Sequence, residues 1–336
     1  MTEPLIEIVG LTKCFPIVAG LFKRTVAHVR AVDHVGFTIG KGETLGLVGE
    51  SGCGKTTTAR LILRVIERTS GRMTFHLDGR TVDLGALHGE ELRRFRRHMQ
   101  LIFQDPFSSL NPRMTVLDLI AEPLRAHHVG TRKDIEDRVK ELVEVVGLKV
   151  EFLRRYPHAF SGGQRQRIGI ARALALNPEL VICDEPVSAL DVSVQSQIVN
   201  LLRDLQERLG LTYLFIAHDL SVVENISTRV AVMYAGRIVE LTETGRLFHH
   251  PRHPYTEALM NALPKPDPAL KTPRIILPGE VADPSNLPSG CAFHPRCRYA
   301  QERCKVEVPP LQNPSGDHAV ACHRAEELAL QGIKVV

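Results

Sequence analysis

The period of apolar positions changes several times along the chain, and each change marks an element. "TLGLVG", Thr44 to Gly49, is a short apolar run ending on glycine, which predicts a buried strand. "TTTARLILRVIE", from Thr56, continues as a helix. In "TRKDIEDRVKELVEVVGL" the apolar residues Ile135, Val139, Leu142 and Val146 fall on one helical face. Thr131 and Asp134 form a capping-box pattern at its start, and Gly147 is its stop. "LVICD" (Leu180 to Asp184) and "TYLFIAHD" (Thr212 to Asp219) predict buried strands. Between them, Val194, Ile198, Leu201, Leu205 and Leu209 predict another helix. "RVAVMYAGRIVEL" alternates around Ala235 and Gly236, the pattern of a hairpin. Strand, helix, strand at this spacing predicts an α/β protein with a mainly parallel sheet covered on both faces.

The pattern changes near residue 247. From Phe248 onward prolines and histidines crowd in, as in "HHPRHPYTEALMNALPKPDPALK", which predicts extended, turn-rich chain. The division is therefore a main domain over 1–246 and a small tail module over 247–336.

Composition narrows the classes. A chain of 336 residues with 43% hydrophobic residues supports one large core and a smaller appended unit. The net charge of +4 is spread among acidic residues, so no nucleic-acid surface is expected. The densest basic stretch, "RRFRRH" from Arg93 to His98, reads as a solvated helix face. The opening "MTEPLIEIVG" carries acidic residues and no long apolar core, so no targeting signal is expected. Nor does any run reach the ~18 uncharged apolar residues of a membrane span. The expectation is a soluble chain that reaches a membrane only through a partner.

"GESGCGKTT", from Gly49, matches G-x-x-x-x-G-K-[ST] through Gly49, Gly54, Lys55 and Thr56, and sits between a strand and a helix. Glycines at these positions let the backbone N–H groups of Gly49, Glu50, Ser51, Gly52, Cys53, Gly54, Lys55, Thr56 and Thr57 surround phosphate oxygens. Lys55 reaches the β- and γ-phosphates, and Thr56 places its hydroxyl on Mg²⁺. Cys53 reads as a small filler, not a catalytic thiol. "LVICDEP" puts Asp184 and Glu185 at a strand end. Asp184 suits Mg²⁺, and Glu185 suits activation of the attacking water. His218, after the next strand, can bond a γ-phosphate oxygen, and Gln104, after "MQLIF", can touch Mg²⁺ or that water. "FSGGQ", with Ser161, Gly163 and Gln164, leads straight into a helix and forms a second anion site. Two phosphate cradles in one chain make sense if the second serves another copy's nucleotide.

In order the chain carries "GESGCGKT", Gln104, "SGGQ", "VICDEP", "SALD" (Ser188 to Asp191) and "AHD". Over about residues 5 to 245 it resembles the ATP-binding-cassette family, with Phe160 where signature variants usually read Leu. "FQDPFSSLNPRMTV", "DEPVSALDVSVQSQI" and "HPRHPYTEALMNALP" are similar to dipeptide and oligopeptide permease ATPases, and the insert with "GLFKR", Cys53 in the phosphate loop and "PVSALDVS" are similar to their F-type subunit. The resemblance implies a P-loop NTPase core, an antiparallel β subdomain and a helical subdomain at about 106–160. It implies ATP and Mg²⁺ as cofactors, and ATP sandwiched between the phosphate loop of one subunit and the SGGQ of its partner. An aromatic that stacks on adenine is implied as well, at Phe15 or Phe22. The implied partners are a D-type ATPase subunit, two transmembrane permease subunits and an extracytoplasmic substrate-binding protein. The implied location is peripheral, on the cytoplasmic face of the cell membrane. Peptides lead as solute; nickel, glutathione and sugar relatives share the motifs, and a soluble non-transport ATPase is the more distant alternative.

Cys291, Cys297, Cys304 and Cys322 cluster in the tail. Without a secretory signal a disulfide framework is the weaker reading. Four thiolates suit Zn²⁺ or an iron–sulfur cluster. Structural zinc prefers C-x₂₋₄-C pairs, which are lacking, so the spacing tilts toward the cluster. The resemblance implies [4Fe-4S] there; zinc and unliganded thiols stay open. The module is expected to be a metal-stapled extension.

Overall fold

The computed structural model describes residues 3–19, 24–262, 277–280, 282–313 and 316–333. Three strands open the chain: β1 (Pro4–Ala19), β2 (Arg24–Gly40) and β3 (Thr44–Val48). Then come α1 (Lys55–Ile62), β4 (Ser70–Leu77), β5 (Arg80–Asp83), α2 (Gly89–Phe95) and β6 (Met99–Ile102). Three helices follow: α3 (Val116–Ala126), α4 (Arg132–Val145) and α5 (Gly162–Leu174). Alternation resumes with β7 (Leu180–Asp184), α6 (Val192–Leu209), β8 (Thr212–Ala217) and α7 (Leu220–Ile226). The chain continues through β9 (Arg229–Tyr234), β10 (Arg237–Glu243), α8 (Thr244–His249) and α9 (Pro254–Asn261). Last come α10 (Glu302–Val306) and β11 (His318–Val320). Two compact units result, one of residues 1–5, 39–44 and 76–217, the other of 6–38, 45–75 and 218–336.

In the first unit β6, β7 and β8 run parallel, with Met99 opposite Leu180 and Asp184 opposite Ile216. Every residue of β7 and β8 is buried, which is why their sequences are unbroken apolar runs instead of alternating ones. Each large apolar side chain so buried contributes roughly 1.5–3 kcal/mol. α3 packs against α4 and α5. The capping box of Thr131 and Asp134 is present. At the other end of α4, Gly147 (φ 71°) donates to Glu144 O and Leu148 to Val143 O, both at 2.9 Å, a Schellman closure. Arg93 and Arg94 both bond Glu90 on an exposed face, as the basic stretch predicts.

In the second unit β2 lies beside β1 and β1 beside β4, the latter pair antiparallel with Ile6 opposite Phe75. β3 runs parallel to β9, and β9 turns into β10 through Ala235 (φ 46°) and Gly236 (φ 83°), the expected hairpin. β11, from the tail, adds antiparallel to β10, with Glu240 opposite Val320.

Two elements differ from the sequence pattern. α1 ends at Ile62 instead of continuing to Glu67, because Arg64 turns left-handed (φ 56°). Arg64 N then donates to Leu61 O and Val65 N to Arg60 O, closing the helix. The tail is also not wholly extended. Pro254 fills the first position of α9, where its missing N–H costs nothing. His253 Nδ1 caps that helix by accepting from Tyr255 N at 3.1 Å. Phe22 and residues 263–276 lie outside the described residues. Among the described residues no helix is long and apolar enough to cross a membrane.

Candidate nucleotide-binding site

The phosphate loop leaves β3 at Gly49, whose φ is 152°. A Cβ there would stand 2.2 Å from Met233 O, and one on Gly54 (φ 111°) would stand 2.3 Å from Ala31 O. Only glycine lets the loop lie this close to its neighbours. Gly54 caps α1, so Lys55, Thr56 and Thr57 occupy its first turn, where backbone N–H groups face outward. Lys55 is 5% exposed, and its Nζ donates to Gly49 O at 2.7 Å and Glu50 O at 3.0 Å. A buried ammonium resting on loop carbonyls, beside a glycine-built set of amides, fits a polyphosphate. Cys53 is buried against the loop, and burial pushes its thiol above the usual range. That matches a filler and not a nucleophile.

Glu50, the second residue of the loop, is held at three points. Its N–H donates to the buried Tyr255 hydroxyl at 2.8 Å, and its carbonyl accepts from Lys55. Its carboxylate takes both arms of the Arg296 guanidinium, at 2.8 and 3.2 Å. Arg296 lies in the cysteine module, directly before Cys297. Sequence reasoning missed the roles of Arg296 and Tyr255, the latter within the quoted "HPRHPYTEALMNALP", because each acts on Glu50 from a distant part of the chain. The one available hint is an arginine set between clustered cysteines.

In the other unit, Gln104 Nε2 donates to Glu185 Oε2 at 2.9 Å. Glu185 is the first residue past β7 and takes a left-handed turn, φ 48°. Its N–H donates to Ile216 O at 2.9 Å, and Ser188 Oγ donates to its carbonyl at 3.1 Å. A non-glycine residue held in this region costs of order 1 kcal/mol, and the three contacts over-determine it. Asp184, the last residue of β7, is 8% exposed. His218, the residue after β8, opens the last stretch of the phosphate-loop unit and is exposed. In the unit that holds the phosphate loop, Phe15 is exposed on β1 with Lys13 Nζ 4.9 Å from its ring centroid.

The SGGQ stretch is built as a helix start. Ser161 caps α5: Gln164 N donates to Ser161 Oγ at 3.4 Å, and Ser161 N donates to Gln164 Oε1 at 3.1 Å. A Cβ on Gly163 would stand 2.5 Å from Val194 Cγ1, so the first turn packs directly onto the start of α6.

The ABC transporter family model matches residues 32–188, and that of the oligopeptide/dipeptide transporter C-terminal region matches residues 239–304. The probable peptide ABC transporter ATP-binding protein y4tS of Sinorhizobium fredii is 55% identical over 96% of this chain and 90% of its own length. The chain belongs to the ABC transporter family. The oligopeptide transport ATP-binding protein AppF of Bacillus subtilis is 51% identical over 96% of this cassette chain and 97% of its own. Among solved structures, the dimeric ATP-binding cassette MJ0796, bound to ADP and Pi in a post-hydrolysis state, matches with a TM-score of 0.61. It is 28% identical and covers 71% of this chain and 98% of its own.

All seven cysteines of the cassette chain are free thiols. Cys291, Cys297, Cys304 and Cys322 line one cavity of about 20 Å³, with His253, Phe293 and Tyr299 among its walls. The hairpin between them is tight: Cys291 N donates to Cys304 O at 2.9 Å, and a Cβ on Gly290 (φ 69°) would stand 2.4 Å from that same oxygen. Burial pushes the Cys297 and Cys322 thiols to about 11 each, and neighbouring cysteines add to the rise. The expected metal staple is nonetheless not supported. Among the described residues no group of three or more His, Cys, Asp or Glu side chains stands close enough together to hold an ion. As placed, the thiols line the cavity without converging on a single ion. Other ties secure the module: β11 on β10, the buried His318–Glu240 contact at 2.7 Å, and Arg298 on the buried Glu257 at 3.0 Å. Glu240 also accepts from Arg252 N and His253 N, so its carboxylate is satisfied on both oxygens.

Proposed function

We propose that this chain is the ATP-hydrolysing subunit of a membrane importer of dipeptides or oligopeptides. The observation that carries this reading is a phosphate-loop cassette joined to a C-terminal region of the oligopeptide/dipeptide transporter type. The names of its relatives, a peptide transporter protein and an oligopeptide transport protein, support it.

MgATP supplies the phosphoanhydride bond whose hydrolysis drives transport. The loop amides from Gly49 to Thr57 and the Lys55 ammonium bind its phosphates, and Phe15 stacks on the adenine. Thr56, Gln104 and Asp184 are the residues that would hold Mg²⁺. Glu185 takes the proton of the attacking water, oriented by Gln104, and His218 bonds a γ-phosphate oxygen. Ser161, Gly163 and Gln164 at the start of α5 serve the nucleotide of a second subunit, which we take to be a D-type ATPase paired head to tail with this one. Two transmembrane permease subunits and an extracytoplasmic substrate-binding protein complete the assembly, with this chain peripheral on the cytoplasmic face. In this scheme residues 1–246 are the cassette and 247–336 the extension. For the four cysteines, whose C-x₅-C and C-x₆-C spacing is looser than that of structural zinc pairs, an iron–sulfur cluster, [4Fe-4S], is proposed ahead of zinc. Iron, sulfide and zinc contents after anaerobic purification decide among cluster, zinc and free thiols.

The test is reconstitution of this chain with its membrane subunits and binding protein in lipid vesicles. ATP hydrolysis is expected to rise when the binding protein carries a peptide. A chain that stays in solution beside its membrane subunits contradicts the importer reading. A response confined to nickel, glutathione or a sugar contradicts the peptide assignment.

A further inference from the structure

We infer that Arg296 is a positioning residue for the phosphate loop, and that the cysteine module acts on nucleotide binding by holding it in place. The inference rests on the loop binding MgATP, as proposed above. Glu50 places a carboxylate inside a loop otherwise built to hold an anion. Left unpaired, that charge repels the triphosphate and pulls its own side chain toward the loop amides that should face phosphate. Arg296 removes both effects. Its fork binds both carboxylate oxygens, at 2.8 and 3.2 Å, a geometry that neutralises the charge and fixes its direction. The pair is shielded, with Arg296 9% and Glu50 25% exposed, so water screens it little.

Arg296 is itself held by the module and the core beneath it. It closes the short helical turn His294–Arg296, between Cys291 and Cys297, and its N–H donates to Phe293 O. Phe293 is buried edge-on against Tyr234 at 5.2 Å and tilted against Tyr255 at 5.5 Å. Tyr255 in turn accepts the Glu50 N–H. One aromatic cluster therefore fixes the Glu50 backbone through Tyr255 and the Glu50 carboxylate through Arg296. The cysteine hairpin sets where Arg296 stands, and this gives the extension a role that the cassette motifs alone do not reveal.

MgATP binding and steady-state hydrolysis of the full chain test this with Arg296→Gln, Arg296→Lys and the double variant Arg296→Gln/Glu50→Gln. Arg296→Gln is expected to weaken MgATP binding and raise KM by about tenfold, with kcat changed much less, since contacting neighbours couple at this scale. The double variant is expected to recover most of that loss, because the repelling carboxylate is gone. A purely structural role of Arg296 predicts no such recovery. Should Arg296→Gln fail to fold, Arg296→Lys is read instead. It keeps the charge but not the fork, and about threefold weaker binding is expected. MgATP affinity unchanged in the folded Arg296 variant, or a double variant no better than Arg296→Gln, overturns the inference while the wild-type chain still binds MgATP. A wild-type chain that binds no MgATP overturns the nucleotide reading and this inference with it.

Discussion

Gln104 donates its side-chain amide to the Glu185 carboxylate across 2.9 Å, although 81 residues separate them. An ionised carboxylate only accepts, so the contact fixes which end of the glutamine amide faces Glu185 and turns the carbonyl oxygen away from it. Gln104→Ala should therefore cost kcat by about tenfold and leave MgATP binding little changed. Gln104→Glu should be worse, because it sets one carboxylate against another. Steady-state kinetics of the two variants check the order. Equal activity of both variants with wild type contradicts an orienting role.

Gly163 touches the Val194 side chain so closely that a methyl group has no room, 2.5 Å from Cγ1. A β-branched neighbour at the start of a helix has few rotamers in which to retreat. Gly163→Ala should destabilise the chain by about 1–3 kcal/mol. Val194→Ala introduced with it should recover much of the loss. Thermal melts of the single and double variants measure both, and additive losses contradict the contact as the cause.

The local parts of this structure are legible in the sequence. β7 and β8 show as unbroken apolar runs, the α4 capping box as Thr131 and Asp134, and the β9–β10 turn as Ala235-Gly236. Each is decided by residues within a few positions of one another. The phosphate loop is legible for the same reason. What the sequence conceals depends on distant partners. Arg296 and Glu50 are 246 residues apart, and Tyr255 meets Glu50 N from 205 away. α1 stops early because Arg64 turns left-handed, a choice that no residue preference announces. The tail reads as extended and turn-rich by its prolines, yet α9 uses Pro254 as a starting residue and buries most of its length. Cysteine spacing suggests a metal staple, whereas the described module is secured by strand pairing, the buried His318–Glu240 contact and Arg298 on Glu257.

His253 makes the extension sensitive to acid. Burial pushes its imidazole down to about 4, against an opposing pull from the Glu240 charge, and its Nδ1 must stay unprotonated to accept from Tyr255 N. The unfolded chain takes up this proton near ~6.5, whereas the folded chain resists it until about 4. Stability from the neutral ring is thus fully present above about 6.5 and is lost as the pH falls toward 4, by up to roughly 3 kcal/mol. His253→Asn keeps a cap acceptor without the titration. Urea unfolding at pH 7 and 4.5 should show a smaller acid loss in the variant than in wild type. An equal loss in both contradicts this account.

Glu185 carries the central claim, and replacing its carboxylate tests that claim most directly. MgATP binding and hydrolysis are measured side by side for wild type and Glu185→Gln, with the membrane subunits present. The account predicts hydrolysis lower by about a hundredfold or more, as expected for loss of a general base, with MgATP still bound at near wild-type affinity. Hydrolysis by Glu185→Gln at the wild-type rate would contradict it.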